Sequence, residues 1–210
     1  MLSLWLLACT AGTGDSADTS SPQVQAPGVL RLGPPAPAVG IYGIAATPEH
    51  VYVSNLHVPF ITVADPATGA WQDALDLREL GIQAAYFPLL FTWEGELLVT
   101  AFDQGLVLRF DLDTHEALGT LPLPDGVQTA ALADDGLWVS ASDGQLHRVT
   151  GEPATLDVGT RATAMDFTDT DVAVVNAGSQ TVSLFARDGR RAWEELLPGA
   201  ETLQDVLLVG

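Results

Sequence analysis

The chain has no lysine. Its basic residues are eight arginines, set against 27 Asp and Glu, for a formal charge of −19 over 210 residues. A nucleic-acid ligand needs clustered cations that release counterions from phosphate, and the nearest approach to a cluster is Arg187, Arg190 and Arg191 on one turn. Nucleic-acid binding is therefore excluded as a function class. The acidity reads as solvated loops that keep an exposed protein soluble. Cysteine is nearly absent too: Cys9 stands alone, which excludes a disulfide within the chain and is compatible with either redox compartment. Beyond the N-terminal run no apolar stretch approaches the roughly 20 residues that a spanning helix requires.

The usual marks of catalysis are missing as well. There is no Gly-x-Ser-x-Gly elbow, and Ser54, Ser140 and Ser142 fall in strand or turn positions without an adjacent base. No Gly-rich phosphate cradle precedes a helix, and no Cys-x-x-Cys-His motif is present. The histidines are His50, His57, His115 and His147, none at the spacing that puts metal ligands on one helix face. Asp111-Leu-Asp113 and Asp169-Thr-Asp171 lack the central Gly and closing Glu of a calcium loop, and acidic pairs in tight turns have local hydrogen-bonding reasons to be there. No cofactor is expected, and a divalent metal only at a site assembled from distant parts of the chain.

What the sequence does contain is a repeat. Apolar residues make up 47% of it and charged ones 17%, enough to build a core. Four segments each place an alternating apolar strand, a polar turn and a second alternating strand in succession: Val51 to Gly69, Leu97 to Glu116, Leu137 to Thr155 and Val172 to Gly189. Alternation is what a strand with a buried face demands. Key valines recur at Val53, Val99, Val139 and Val174, spaced by 46, 40 and 35 residues. In three copies an apolar residue lies eight positions on, at Ile61, Val107 and Val182; in the third copy that slot is His147, and one residue missing from its turn would put Leu146 there. Asp143-Gly144, Gly178-Ser179 and Gln104-Gly105 supply the inner turns, where hairpins require positive φ. A short segment precedes each copy and an outer strand follows it, which makes four strands per repeat.

Such a sheet cannot bury both faces alone, so neighbours must stack, and a ring of them is a β-propeller. The expectation is an all-β chain, a propeller of four-stranded antiparallel blades with repeats at about 40–77, 84–123, 127–158 and 161–199 and a remnant at 200–210. Remnants at Val29 to Leu32 and Leu203 to Val209 pair into a composite fifth blade, or four blades close alone, or the propeller is incomplete and its open blade edge associates with another chain. The repeat resembles the YVTN family of bacterial β-propeller repeats, close to the NHL and quinoprotein-like propellers, with VYVSN at Val51 and VVNAGSQTVSLF at Val174 as the closest matches. In related propeller enzymes such as lactonases, Asn, Asp and Glu of several blades converge on an axial metal. The resemblance thus implies Asn55 and Asn176 as metal candidates, which share a repeat position held by Ala101 and Ala141 elsewhere. An Asn closing the turn after its strand is the competing reading. Arg109 and Asp166 interrupt apolar stretches and are expected to face solvent.

The N-terminus adds a location. Residues 1–8 read MLSLWLLA, a short apolar run, and Leu6-Leu7-Ala8-Cys9 resembles a bacterial lipobox, whose cysteine receives diacylglycerol. No basic residue precedes the run, and an upstream start would supply that n-region. Residues 9–28 are small, polar and without apolar periodicity, the composition of a tether, leaving 29–210 as the folded domain. Together these imply a lipid-anchored, extracytoplasmic propeller of the cell envelope, at the outer membrane, attached only through Cys9. Its loops would meet a protein, glycan or small molecule as a binding or scaffold module. The alternatives are a metal-dependent hydrolase of the lactonase kind and an incomplete propeller that assembles with another chain. Cys9→Ser is expected to abolish lipid labelling of the protein in cells and its globomycin-sensitive processing; labelling retained in the variant refutes the anchor.

Overall fold

In the computed structural model, residues 40–56, 58–83, 86–159, 161–197 and 206–208 are described. Cys9, the 9–28 tether, Val29 to Leu32 and His57 lie outside them. The described residues form four sheets, each of four antiparallel strands in sequence order. The first holds β1 (Ile41–Ala46), β2 (Val51–Asn55), β3 (Phe60–Ala64) and β4 (Trp71–Asp76), and the second β5 (Leu90–Trp93), β6 (Glu96–Ala101), β7 (Leu106–Asp111) and β8 (Ala117–Pro122). The third holds β9 (Thr129–Ala133), β10 (Gly136–Ser140), β11 (Gln145–Arg148) and β12 (Ala154–Asp157), and the fourth β13 (Ala162–Phe167), β14 (Asp171–Asn176), β15 (Thr181–Ala186) and β16 (Arg191–Leu196). These are the four repeats expected from the alternation.

Strand register explains the irregular third copy. Ile61 pairs with Ser54, Val107 with Thr100 and Val182 with Val175, each opposite the residue after the key valine. Leu146 pairs with Ser140 in the same way, so the third hairpin is one residue shorter and Leu146 takes the slot. The turns agree at Gly105 and Gly144, which adopt φ of 65° and 84°. In the fourth sheet the left-handed residue is Gln180 at φ 55° rather than a glycine, because its four-residue turn ends immediately before Thr181.

Each sheet has a leading face, toward the preceding sheet, and a trailing face, toward the next. Tyr52, Ile61 and Val63 on the trailing face of the first sheet meet Leu97, Val99 and Phe110 on the leading face of the second. Leu98 and Val107 of the second meet Leu137 and Val139 of the third. Trp138 and Leu146 of the third meet Met165, Val172 and Val174 of the fourth. The fourth sheet's trailing residues Ala173, Val175 and Val182 are covered by Val206 and Leu208 of the C-terminal segment. That segment adds no strand within 206–208. None of these clusters joins the first sheet to the fourth among the described residues.

Buried hydroxyls tie successive sheets together. Ser54 Oγ donates to the Pro88 carbonyl (2.6 Å) just ahead of β5, and Ser140 Oγ donates to the Ala162 carbonyl (2.7 Å) at the start of β13. Gly43 makes the first contact possible: a Cβ there would sit 2.6 Å from the Pro88 oxygen. At the third and fourth sheets a polar latch is added. Asp135 accepts hydrogen bonds from Trp138 Nε1 (2.9 Å) and Arg148 Nη1 and pairs with Arg187 Nη2. The Arg187 guanidinium also stacks on Phe167, 4.9 Å from the ring centroid. Burial raises the Asp135 pKa, but hydrogen bonds from Trp138 and Arg187 and the arginine charges outweigh it, so the carboxyl is held below its ordinary value.

Two stability measurements test this account. Leu97, fully buried between the first two sheets, is expected to cost about 2–5 kcal/mol as Leu97→Ala, against within about 0.5 kcal/mol for the exposed Leu118→Ala, by denaturant unfolding. Asp135→Asn is expected to cost about 1–3 kcal/mol at pH 7. Because the folded-state pKa is lowered, the unfolded chain takes up the proton first. The wild-type advantage is therefore full above the ordinary carboxylate pKa of about 4 and shrinks as pH falls through the lower folded value. An advantage unchanged at pH 3 would overturn the latch.

Candidate functional site

The first strand of each sheet carries a residue opposite the key valine. These are Leu90 opposite Val99, Ala130 opposite Val139 and Met165 opposite Val174, and all three lie on leading faces. They are 5%, 9% and 7% exposed, covered by the preceding sheet. Ile44, opposite Val53, is the same position in the first sheet, and it is 65% exposed. Ile41 on the same strand is also exposed, and Tyr42 beside it meets Phe87 edge-on at a centroid distance of 5.1 Å. Tyr86 and Phe87 are exposed as well, and Phe87 is held at φ 53°, a conformation costly for an aromatic residue. Partial burial pushes the Tyr42 hydroxyl pKa up. The result is a set of exposed apolar and aromatic side chains along β1 and the segment ahead of β5, while Val51, Val53, Thr62 and Ala64 on the face of Ile44 are buried.

The residues singled out from the sequence scatter. Asn55 ends β2 half-buried and Asn176 ends β14 fully buried, on the first and the last sheet. Among the described residues no group of three or more His, Cys, Asp or Glu is arranged to hold a metal ion. Asn176 Nδ2 is 3.4 Å from Ser183 Oγ, while its Oδ1 is buried without a partner. Arg109 is half-buried and donates through Nε to Glu96 (2.7 Å), a cross-strand pair rather than a free solvent-facing charge. Asp166 is likewise half-buried and accepts the Leu208 N–H at 2.7 Å, so it anchors the covering segment on the fourth sheet. The carboxylate faces the apolar surface that Leu208 covers, which is why alternation alone misplaced it.

Three of the histidines are described. His147 Nε2 pairs with Asp143 at 2.8 Å. His50 and His115 come together where the first and second sheets meet, with ring centroids 4.9 Å apart. His115 Nε2 lies 3.1 Å from the Tyr52 hydroxyl, and His50 Nδ1 lies 2.9 Å from Gln72 Oε1. Burial, and then the charge of His50, lower the His115 pKa against the opposing pull of Asp73 and Asp111. The Tyr52 hydroxyl is pushed up to about 12 by burial, with Asp113 and Glu49 adding to it. Sequence spacing could not show this pair, because its members come from turns on two different repeats. Asp111 takes N–H bonds from Asp113 (3.0 Å) and Thr114 (2.8 Å), the local turn role that competed with calcium binding.

No protein-family model matches this chain, and no curated protein matches it. Solved structures do. The chain is similar to a streptogramin B lyase at a TM-score of 0.64 and 15% identity, covering 82% of this chain and 59% of that one. It is similar to virginiamycin B lyase from Staphylococcus aureus at a TM-score of 0.64 and 14% identity, covering 82% of this chain and 60% of that one. It is similar to the computationally designed Ika4 protein at a TM-score of 0.53 and 20% identity, covering 80% of this chain and 98% of that one. The chain thus spans less than two thirds of the length of either lyase. At these identities the likeness carries the fold alone, and that fold is a β-propeller, with four four-stranded blades among the described residues.

Proposed function

We propose that this chain is a YVTN-like, lipid-anchored propeller of the cell envelope that works by binding a protein partner along the exposed first strand, β1, of its first blade. The observation that carries the reading is Ile44: its three structural equivalents are covered by a preceding sheet, whereas Ile44 is 65% exposed, although Val51, Val53, Thr62 and Ala64 on the same face are buried. A second chain that presents an apolar β-face would bury Ile41 and Ile44 as the first sheet's trailing face is buried by the second. The second reading, an incomplete propeller that assembles with another chain, rests on the same exposed strand.

A photo-crosslinking amino acid at position 44, introduced into the full chain in cells, is expected to yield one discrete adduct. The same group at position 118, exposed on an outer strand, should yield none. Ile44→Asp should remove a partner captured by a crosslinker at position 41. No adduct at 44, or the same adducts at 44 and 118, would overturn the reading.

A further inference from the structure

A second, separate site lies away from β1. A cavity of about 250 Å³ opens between the third and fourth sheets, with Asp157 and Gly159 on one side and Asn176, Phe185, Arg191 and Glu194 on the other. Asn176 is 1% exposed. Its orientation follows from its neighbours. Arg191 Nη1 and Ser183 Oγ both donate to Glu194 Oε2, at 2.8 and 3.0 Å. An ionised carboxylate only accepts, so the Ser183 proton is committed to it and the Ser183 oxygen is left to accept from Asn176 Nδ2. The amide Oδ1 is therefore left a buried acceptor with no donor, on a residue that lines the cavity. Native structures rarely leave such an atom unsatisfied. Gly159 lies against it: a Cβ there would stand 3.7 Å from Oδ1, in van der Waals contact.

The charges around the cavity select the ligand. Glu194, Asp157 and the Asn176 oxygen repel an anion. A metal cation would have to displace Arg191 from Glu194, and no further carboxylate or histidine completes a ligand set among the described residues. A neutral molecule rich in hydroxyls fits both halves of the wall, donating to Asn176 Oδ1 and the carboxylates while accepting from Arg191. Phe185 and Val158 supply apolar surface for its C–H face. The volume is below the roughly 300–1,000 Å³ of drug-sized pockets, which limits the ligand to about one ring. We propose that this cavity is a binding site for a monosaccharide or cyclic polyol, with Asn176 as its central acceptor and Glu194 and Arg191 as its rim.

The test uses the full chain in titration calorimetry and saturation-transfer NMR with D-glucose, D-galactose, D-mannose and myo-inositol as probes, and calcium chloride and inorganic phosphate as competitors. At least one of the four hydroxyl-rich probes is expected to bind, and Asn176→Leu should weaken it roughly tenfold or more. The same substitution should leave the melting temperature unchanged or raised, since it removes an unsatisfied buried atom. Glu194→Ala, on an exposed strand, should weaken the same probe; if Asn176→Leu does not fold, this variant decides alone. The proposal is overturned if none of the four probes binds, if binding survives in the folded variants, or if calcium or phosphate occupies the site instead.

Discussion

Every sheet in this chain carries apolar side chains on both faces, and that constraint organises the molecule. In β14 the alternation puts Val172 and Val174 on one face and Ala173 and Val175 on the other, and all four are buried. A sheet of this kind is stable only between two covers, so each repeat needs a neighbour before and after it. Three junctions are met by stacking, and a fourth by Val206 and Leu208. Among the described residues the outer faces of the first and fourth sheets are treated differently. The fourth receives a covering segment tied down by Asp166, while on the first Val51, Val53, Thr62 and Ala64 are buried and Ile41 and Ile44 of β1 are exposed.

Polar contacts refine this arrangement without repeating through it. The hydroxyl bridges of Ser54 and Ser140 join alternate junctions, while Thr100 at the same place in the second sheet instead accepts the Leu89 N–H at 2.9 Å. The Asp135 latch belongs to the third and fourth sheets, and the His50–His115 pair to the first and second. The apolar scaffold recurs from copy to copy, and the polar residues individualise each junction. Among the described residues two buried side-chain atoms have no hydrogen-bond partner, Trp71 Nε1 and Asn176 Oδ1, and Asn176 occupies a repeat position that two other copies fill with alanine.

The fold was legible because its signal is local. Alternation at Val51–Val53 and Val172–Val174, turns at Gly105 and Gly144, and the one-residue deficit before Leu146 are all read from short windows, and the register matches them. The sites were not, because each depends on residues from different repeats. Asp166 looked like a solvent-facing charge until Leu208 came to it from 42 positions away. Asn55 and Asn176 looked equivalent, yet one is half-buried on the leading sheet while the other closes a cavity against Gly159.

By itself, then, the sequence determined the repeating unit: strand period, hairpin turns and two apolar faces follow from side-chain alternation and backbone φ, which are properties of adjacent residues. Only the tertiary structure decided which faces find a cover and which polar atoms lose their water. Burial is set by what stacks against a side chain, and two residues with the same local pattern, Ile44 and Met165, end on opposite sides of that divide.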